Sequence, residues 1–329
     1  MNTKPIKIFV SWPGYSTFDP ETGKRLVDAG YEVILHPKLG LRSPEELQAL
    51  LGGAVAAIVS TDPFTRQVIK TQSNLKVIAR VGVGTDSIDL AAASEQKVLV
   101  TITPGLNADT VAEHTLALIL ALVRKVVDQD TLVKSGRWER VGEFAPGELA
   151  GRTVGLLGTG TIGRKVIERL AGFGVNILFF DPVIKEVEPA TRVESLCDLL
   201  RASDILSLHL PLTAETGMII GQKEIEQMKS TAILINTSRG PLIDQSALFT
   251  ALRKGTLAGA ALDVFAEEPP PMGIVRDVPN LICSPHLAGL SRESIRRMTV
   301  SATDSVLAVL SGKVPPTAIN APAVREVAL

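Results

Sequence analysis

Cysteine is nearly absent: Cys197 and Cys283 are the whole supply in 329 residues. Two thiols cannot staple a small secreted scaffold, and so low a count fits a reducing compartment, so a cytoplasmic location is expected. Charge of one sign is missing too. The 34 Lys and Arg balance 35 Asp and Glu to a formal net charge of -1. That provides no global field for nucleic acid or an anionic membrane, and neither is expected as a partner. Long apolar runs are also lacking. The longest, Leu116 to Val123, falls far short of the roughly 18 residues of a membrane span. The opening MNTKPIKIFVSW offers only Ile8-Phe9-Val10 where a signal peptide needs a longer apolar core, so neither leader nor membrane segment is expected. No tandem repeat is evident, and the Pro-rich pieces near residues 269–271 and 315–316 are too short for linkers.

What is present is alternation. A chain of this length suggests two domains with a cleft between them. Up to about residue 100, short β-branched runs (Ile6 to Val10, Val33 to Leu35, Ala56 to Ser60, Lys76 to Val81, Val98 to Thr101) alternate with helix-like stretches, the pattern of βαβ units on a parallel sheet. After Thr103-Pro104-Gly105, an Ala- and Leu-rich stretch without Gly or Pro predicts one helix from Asp109 to Val127 that leads into the second domain. From Thr153 to about Ile282 the alternation resumes. TVGLLG, NILFFD, DILSLHL, AILINTS, LAGAALDVF and NLICS read as six strands of a doubly wound α/β sheet. A final helix is expected over Arg292 to Leu310, crossing back onto the first domain. The boundaries expected are 1–104, 105–288 and 289–329.

GRTVGLLGTGTIGRKVIERL sets Gly158, Gly160 and Gly163 in G-x-G-x-x-G register between a strand and a helix, and Asp181 ends the next strand eighteen residues beyond Gly163. Gly158 permits the tight turn, Gly160 admits the pyrophosphate to the backbone, and Gly163 lets helix and strand pack closely. Amides near Thr161 and Ile162 would donate to the phosphates at the positive end of the helix dipole. Asp181 would accept from both adenosine ribose hydroxyls and repel a 2'-phosphate, which favours NAD over NADP as the cofactor. The alternative is that these glycines merely serve turns and Asp181 caps a strand.

Hydride transfer asks the protein for a clamp on the substrate acid, a proton donor for the carbonyl, and a group that tunes the donor. Arg239, just after the AILINTS strand, suits the clamp, because a guanidinium holds a carboxylate bidentately. Of four histidines, His286 follows a strand and precedes a small-residue loop. His114 lies inside a helix pattern, His36 in the first domain, and His209 in a strand-like run that reads as structural. Glu268, in ALDVFAEEPPP, would pair with His286 and stabilise its protonated form. Each alone reads as a surface charge or a packed side chain.

Their joint order is another matter. The N-x-S-R-G, D-V-F-x-x-E-P and S-P-H segments that carry Arg239, Glu268 and His286 resemble the catalytic segments of the D-2-hydroxyacid dehydrogenase family, and the resemblance covers nearly the whole chain. It implies two Rossmann-like doubly wound parallel-sheet domains, with the cofactor domain inserted into a split substrate domain. It also implies that Thr237, Ser238 and Asp263 line the cofactor and that Val81-Gly82-Val83-Gly84 offers amides to the substrate carboxylate. By the family pattern Arg239 binds carboxylate and carbonyl, His286 delivers the proton, and a homodimer forms through the helix at Asp109 to Val127.

The segment KVIARVGVGTDSIDL resembles the phosphoglycerate dehydrogenase branch, in which an arginine matching Arg80 helps hold a dianionic tail. That implies a small D-2-hydroxyacid with a polar or anionic third carbon. Against it, Ser60 stands where that branch often has a second arginine, and Leu287-Ala288-Gly289-Leu290 departs from the usual loop. The serine-sensing C-terminal domain of some members is expected to be absent. The alternative substrates are glyoxylate and hydroxypyruvate; an alternative of another class is an NAD(H)-sensing corepressor-like binding protein. Cys283 and His286 form a C-x-x-H pair with no second pair nearby, so no metal is expected and Cys283 reads as packing. Trp138 reads as a core aromatic, with a contact near a partner's active site as the alternative.

Overall fold

The computed structural model describes residues 5–15, 17–38 and 42–327. The chain divides into two compact units, one of residues 1–107 with 290–329 and one of residues 108–289. The first unit begins with β1 (Lys7–Val10), α1 (Pro20–Asp28), β2 (Glu32–Leu35), α2 (Pro44–Leu51), β3 (Ala56–Val59), α3 (Arg66–Lys70), β4 (Val77–Arg80), α4 (Leu90–Glu95) and β5 (Leu99–Thr101). Its sheet is parallel in the order β2-β1-β3-β4-β5. The helices start where the sequence supplies a cap. Asp19, Ser43, Thr65 and Asp89 each accept an amide of the first turn, which satisfies donors that a helix otherwise leaves orphaned.

The second unit holds α5 (Ala108–Val123), α6 (Val126–Lys134), β6 (Thr153–Leu157), α7 (Thr161–Leu170), β7 (Asn176–Phe180), β8 (Thr191–Arg192), α8 (Leu196–Ala202), β9 (Ile205–Leu208), α9 (Gln222–Ile225), β10 (Ile233–Asn236), α10 (Gln245–Lys254), β11 (Gly259–Leu262) and β12 (Leu281–Cys283). Its seven strands run parallel in the order β12-β11-β10-β9-β6-β7-β8. The order reverses between β6 and β9, and ligands of doubly wound sheets gather at such a switch point, beyond the carboxyl ends of the strands. β9, β10 and β11 are buried at every residue, as continuous apolar runs covered on both faces should be. The seventh strand, β8, is two residues long and falls outside the six expected; so short a polar pair, Thr191-Arg192, carries no apolar period.

The chain then returns to the first unit through α11 (Arg292–Leu310) and α12 (Ala321–Val327). Met298, Ala302 and Val306 of α11 join Ile8, Val10 and Ile58 in one apolar core. The Trp12 indole donates to Thr299 at 3.0 Å, and Arg25 pairs with Asp304.

One predicted helix is two. The stretch expected to run unbroken from Asp109 to Val127 stops at Val123, and α6 begins after Lys125, which takes a left-handed φ of 50°. The Lys125 amide turns back to Leu122 O at 3.2 Å. Neither Gly nor Pro marks the break, so composition alone does not reveal it. Trp138, expected in a core, is 77% exposed instead. No helix among the described residues is long and apolar enough to cross a membrane.

Candidate active site

The glycine-rich turn lies at the switch point, and its three glycines differ in what requires them. Gly158 has φ +92°, and a Cβ there would meet His209 O at 2.6 Å; a Cβ at Gly163 would meet Gly158 O at 2.5 Å. Gly160 faces open space, with nothing within 4 Å of a would-be Cβ. Close packing thus dictates two of them, and the third leaves a cradle. The helix that follows, α7, has no side-chain cap at Gly160, whereas α8, α10 and α11 are capped by Ser195, Asp244 and Ser291. The amides at Thr161 and Ile162 therefore stand without a side-chain cap at the positive helix end, an arrangement that suits an anion. Beside them a groove of about 480 Å3 is lined by Gly160, Thr161, Arg164, Lys165, Glu168 and Ile184. These features fit a dinucleotide.

Asp181 follows β7 and is buried. Its Oδ2 accepts the Thr159 amide at 2.8 Å and the Thr159 hydroxyl at 3.2 Å, and its Oδ1 accepts the Val183 and Ile184 amides, each at 2.9 Å. Burial pushes its pKa up, but these hydrogen bonds outweigh it and hold the carboxyl below its ordinary range. The expected ribose ligand is thus also the tie between the glycine-rich turn and the turn after β7.

His209, which reads as structural in sequence, is buried under that turn. Its Nε2 lies 2.8 Å from Ser207 Oγ, and burial lowers its pKa to about 4, so it is neutral at physiological pH.

The proposed catalytic side chains gather in the same unit. Arg239 follows β10, and Glu268 and His286 lie in the segments after β11 and β12. Gly240 is the residue that permits this: a Cβ there would sit 1.9 Å from both the carbonyl carbon and the oxygen of Phe265. The Arg239 turn can therefore rest on the segment leading to Glu268. Glu268 Oε1 accepts the Phe265 amide at 3.0 Å, and Oε2 meets His286 Nδ1 at 2.6 Å. Burial raises the Glu268 pKa, but the His286 hydrogen bond and charge, the Phe265 amide and the Arg239 charge together leave it lowered. The side chains of His286 and Glu268 are 37% and 31% exposed. His286 Nε2 has no partner among the described residues. Arg239 Nη1 donates to Ser238 O at 2.7 Å.

Residues 116–288 match the family model described as the D-isomer specific 2-hydroxyacid dehydrogenase, NAD binding domain. The chain belongs to the D-isomer-specific 2-hydroxyacid dehydrogenase family. It is 40% identical over 311 residues to a glyoxylate reductase of Thermofilum pendens, covering 92% of each chain. It is 38% identical to a D-3-phosphoglycerate dehydrogenase of Methanocaldococcus jannaschii, over 87% of this chain and 55% of that one. In structure it is similar to a protein of Thermus thermophilus, with a TM-score of 0.88 and 36% identity, covering 95% of this chain and 100% of that one. This dehydrogenase is accordingly an NAD-dependent oxidoreductase of 2-hydroxyacids.

Several expected contacts of the dehydrogenase are engaged within the chain. The Thr237 hydroxyl lies 3.0 Å from that of Thr115, and the Ser238 hydroxyl donates to Leu208 O at 2.7 Å. Asp263 is wholly buried, and its carboxylate accepts the Ser284 hydroxyl at 2.6 Å and the Leu287 and Ala288 amides at 3.0 and 2.8 Å. The work visible for it is holding the His286 loop. Among the first unit's residues, the Gly82 amide, expected to serve substrate, donates to Thr103 Oγ1 at 2.8 Å. The Val83 and Gly84 amides have no partner among the described residues. Arg80 folds back over Gly82, its Nη1 donating to Val81 O at 2.7 Å. Cys283, expected as packing, is exposed. Among the described residues no group of three or more metal-ligating side chains exists.

His114 reads in sequence as an ordinary helix position, yet its Nε2 lies 2.9 Å from Ser284 Oγ. The sequence holds a faint signal: Ser284 is part of the S-P-H segment, and His114 is a polar residue within an Ala- and Leu-rich helix.

Proposed function

We infer that the enzyme reduces small monoanionic 2-oxoacids of the glyoxylate and hydroxypyruvate kind to the corresponding 2-hydroxyacids, with Arg239, Glu268 and His286 as the catalytic group. Bound NADH supplies the hydride. His286 gives its Nε2 proton to the carbonyl oxygen as negative charge develops there, and Glu268 stabilises the imidazolium and fixes the ring through Nδ1. Arg239 holds the carboxylate and polarises the carbonyl. In the oxidising direction His286 takes the proton back. The Val83 and Gly84 amides are the first unit's donors for the carboxylate. Residues 105–288 carry the cofactor, and the flanking segments 1–104 and 289–329 make the substrate domain.

The observation that carries the choice of substrate is the Arg80 guanidinium, which is committed to Val81 O and packed on Gly82 rather than extended. Ser60 replaces the second cation of the phosphoglycerate branch, and Arg42 of the same unit is neutralised by Asp62 and Glu46. A phosphate tail would find no cation pair waiting. The relative named glyoxylate reductase, matched over 92% of its length, supports the same choice.

Comparing kcat/KM for glyoxylate, hydroxypyruvate and 3-phosphohydroxypyruvate tests this. The two monoanions should lead by at least about tenfold, the factor that about 1.4 kcal/mol confers. A clear lead for the phosphorylated acid would overturn the assignment.

A homodimer is proposed as the assembly. Val126, Val127 and Val133 of α6, with Trp138 and Val141 beyond it, are all about half exposed or more, an apolar surface of the kind that a partner covers. A cytoplasmic location is proposed from the cysteine usage.

A further inference from the structure

His286 stands in a backbone conformation that needs support. Its φ is +52°, a left-handed region that residues with a side chain enter only against steric strain. What holds it is Asp263. The His286 amide donates to Asp263 O at 2.7 Å, and the Asp263 carboxylate grips the chain on both sides of His286, through the Ser284 hydroxyl and the Leu287 and Ala288 amides. A buried carboxylate with several donors is a stiff anchor, because losing any one of them leaves unmet acceptor capacity out of reach of water.

The anchor has one more member. Since the Ser284 hydroxyl hydrogen is given to Asp263, the Ser284 oxygen is free to accept, and the atom 2.9 Å from it is His114 Nε2. Nε2 must then carry a hydrogen, which makes His114 either the Nε2-H tautomer or the imidazolium. Nε2 is also 3.7 Å from Asp263 Oδ1. Donors thus run in one direction, His114 to Ser284 to Asp263, and hydrogen bonds aligned this way strengthen one another. His114 projects from the rigid α5, so the chain ties the loop to a helix and not to another loop.

We propose that His114 is a positioning residue for His286, acting through Ser284 on Asp263 to hold the imidazole where its Nε2 meets the substrate. His114 touches neither reactant on this account. The proposal rests on the assignment of His286 as the proton donor, and the test separates the two.

Steady-state reduction of glyoxylate with NADH is compared for wild type, His114→Ala, His114→Gln, Ser284→Ala, the double variant His114→Ala/Ser284→Ala, and His286→Ala. Misplacing a catalytic group without removing it costs about ten- to a hundredfold. His114→Ala and Ser284→Ala should each lose that much in kcat, with KM for NADH changed by less than about twofold, since uniform binding is untouched. The double variant should be no slower than the worse single, as members of one chain are not additive. His114→Gln, whose side-chain amide places an N–H at nearly the same reach, should recover most of the loss. A neutral His114→Ala, additive losses, or a Gln variant as slow as the Ala variant would each overturn the proposal. If His286→Ala loses turnover while His114→Ala does not, only the positioning role falls. If His286→Ala is itself near normal, the assignment of the acid falls with it.

Discussion

The Nδ1 atom of His286 and the Oε2 atom of Glu268 lie 2.6 Å apart, although their segments leave the ends of two different strands. With Nδ1 committed to a carboxylate, the proton that the imidazole can deliver is the one on Nε2, and that atom has no partner among the described residues. The pairing therefore defines both the protonation state the pair favours and the direction in which the proton leaves.

His286→Ala removes the donor and leaves the glycine-rich turn untouched. Turnover should fall about 100- to 10,000-fold, the usual worth of a general acid, while NADH titration by fluorescence gives nearly the wild-type affinity. Near-normal turnover would mean that another group delivers the proton.

Gly240→Ala should be among the most damaging single-methyl additions in the chain. Its Cβ would overlap the Phe265 carbonyl at 1.9 Å, and backbone gives way less readily than a side chain. Overpacking of this severity is expected to cost at least about 3 kcal/mol and to part Arg239 from Glu268. Thermal unfolding and kcat measured together check it; an unchanged midpoint with full activity would contradict the contact.

Asp181→Asn tests the double duty of that carboxylate. Four donors converge on its two oxygens, and an asparagine amide accepts on only one, leaving an NH2 against two of them. Stability should drop by about 1–3 kcal/mol, and KM for NADH should rise. A rise in KM with unchanged stability would assign Asp181 to the cofactor alone.

His209 makes stability depend on pH. In the folded chain its pKa is about 4, and in the unfolded chain it is about 6.5. The unfolded state therefore binds the extra proton first, and stability from this residue is full above pH about 6.5 and is lost as pH falls toward 4. At 1.36 kcal/mol per unit the loss is on the order of 3 kcal/mol. Unfolding midpoints between pH 7 and 4.5 should fall more steeply for wild type than for His209→Asn, and parallel curves would show that the imidazole is not neutral in the fold.

Much of this was legible in the sequence because the governing physics is local. The five strands of the first unit and the six longer strands of the second announce themselves as apolar β-branched runs, and Gly158, Gly160 and Gly163 stand at a spacing that suits a strand-turn-helix phosphate cradle. α11 matches its expected span, Arg292 to Leu310, because Ser291 caps it. The break at Lys125 was not legible, since an ordinary lysine can enter the left-handed region without a sequence mark. The engagement of Gly82 with Thr103 was hidden because it joins residues 21 positions apart, and that of Arg80 with the neighbouring Val81 O because it is a choice of side-chain rotamer that no sequence pattern marks. The link from His114 to Ser284 joins residues 170 positions apart, and no periodicity encodes such a meeting.

The central claim is that Glu268 and His286 act as a proton-donating pair, and the most direct test is the pH dependence of kcat/KM for glyoxylate reduction in wild type and Glu268→Gln. Without the carboxylate the Nδ1 hydrogen loses its charged acceptor, so the variant should be slower at neutral pH and should lack the low-pH limb that protonation of Glu268, held below its ordinary range by His286, gives the wild type. Superimposable profiles, in shape and midpoint, would contradict the pairing as the source of the proton.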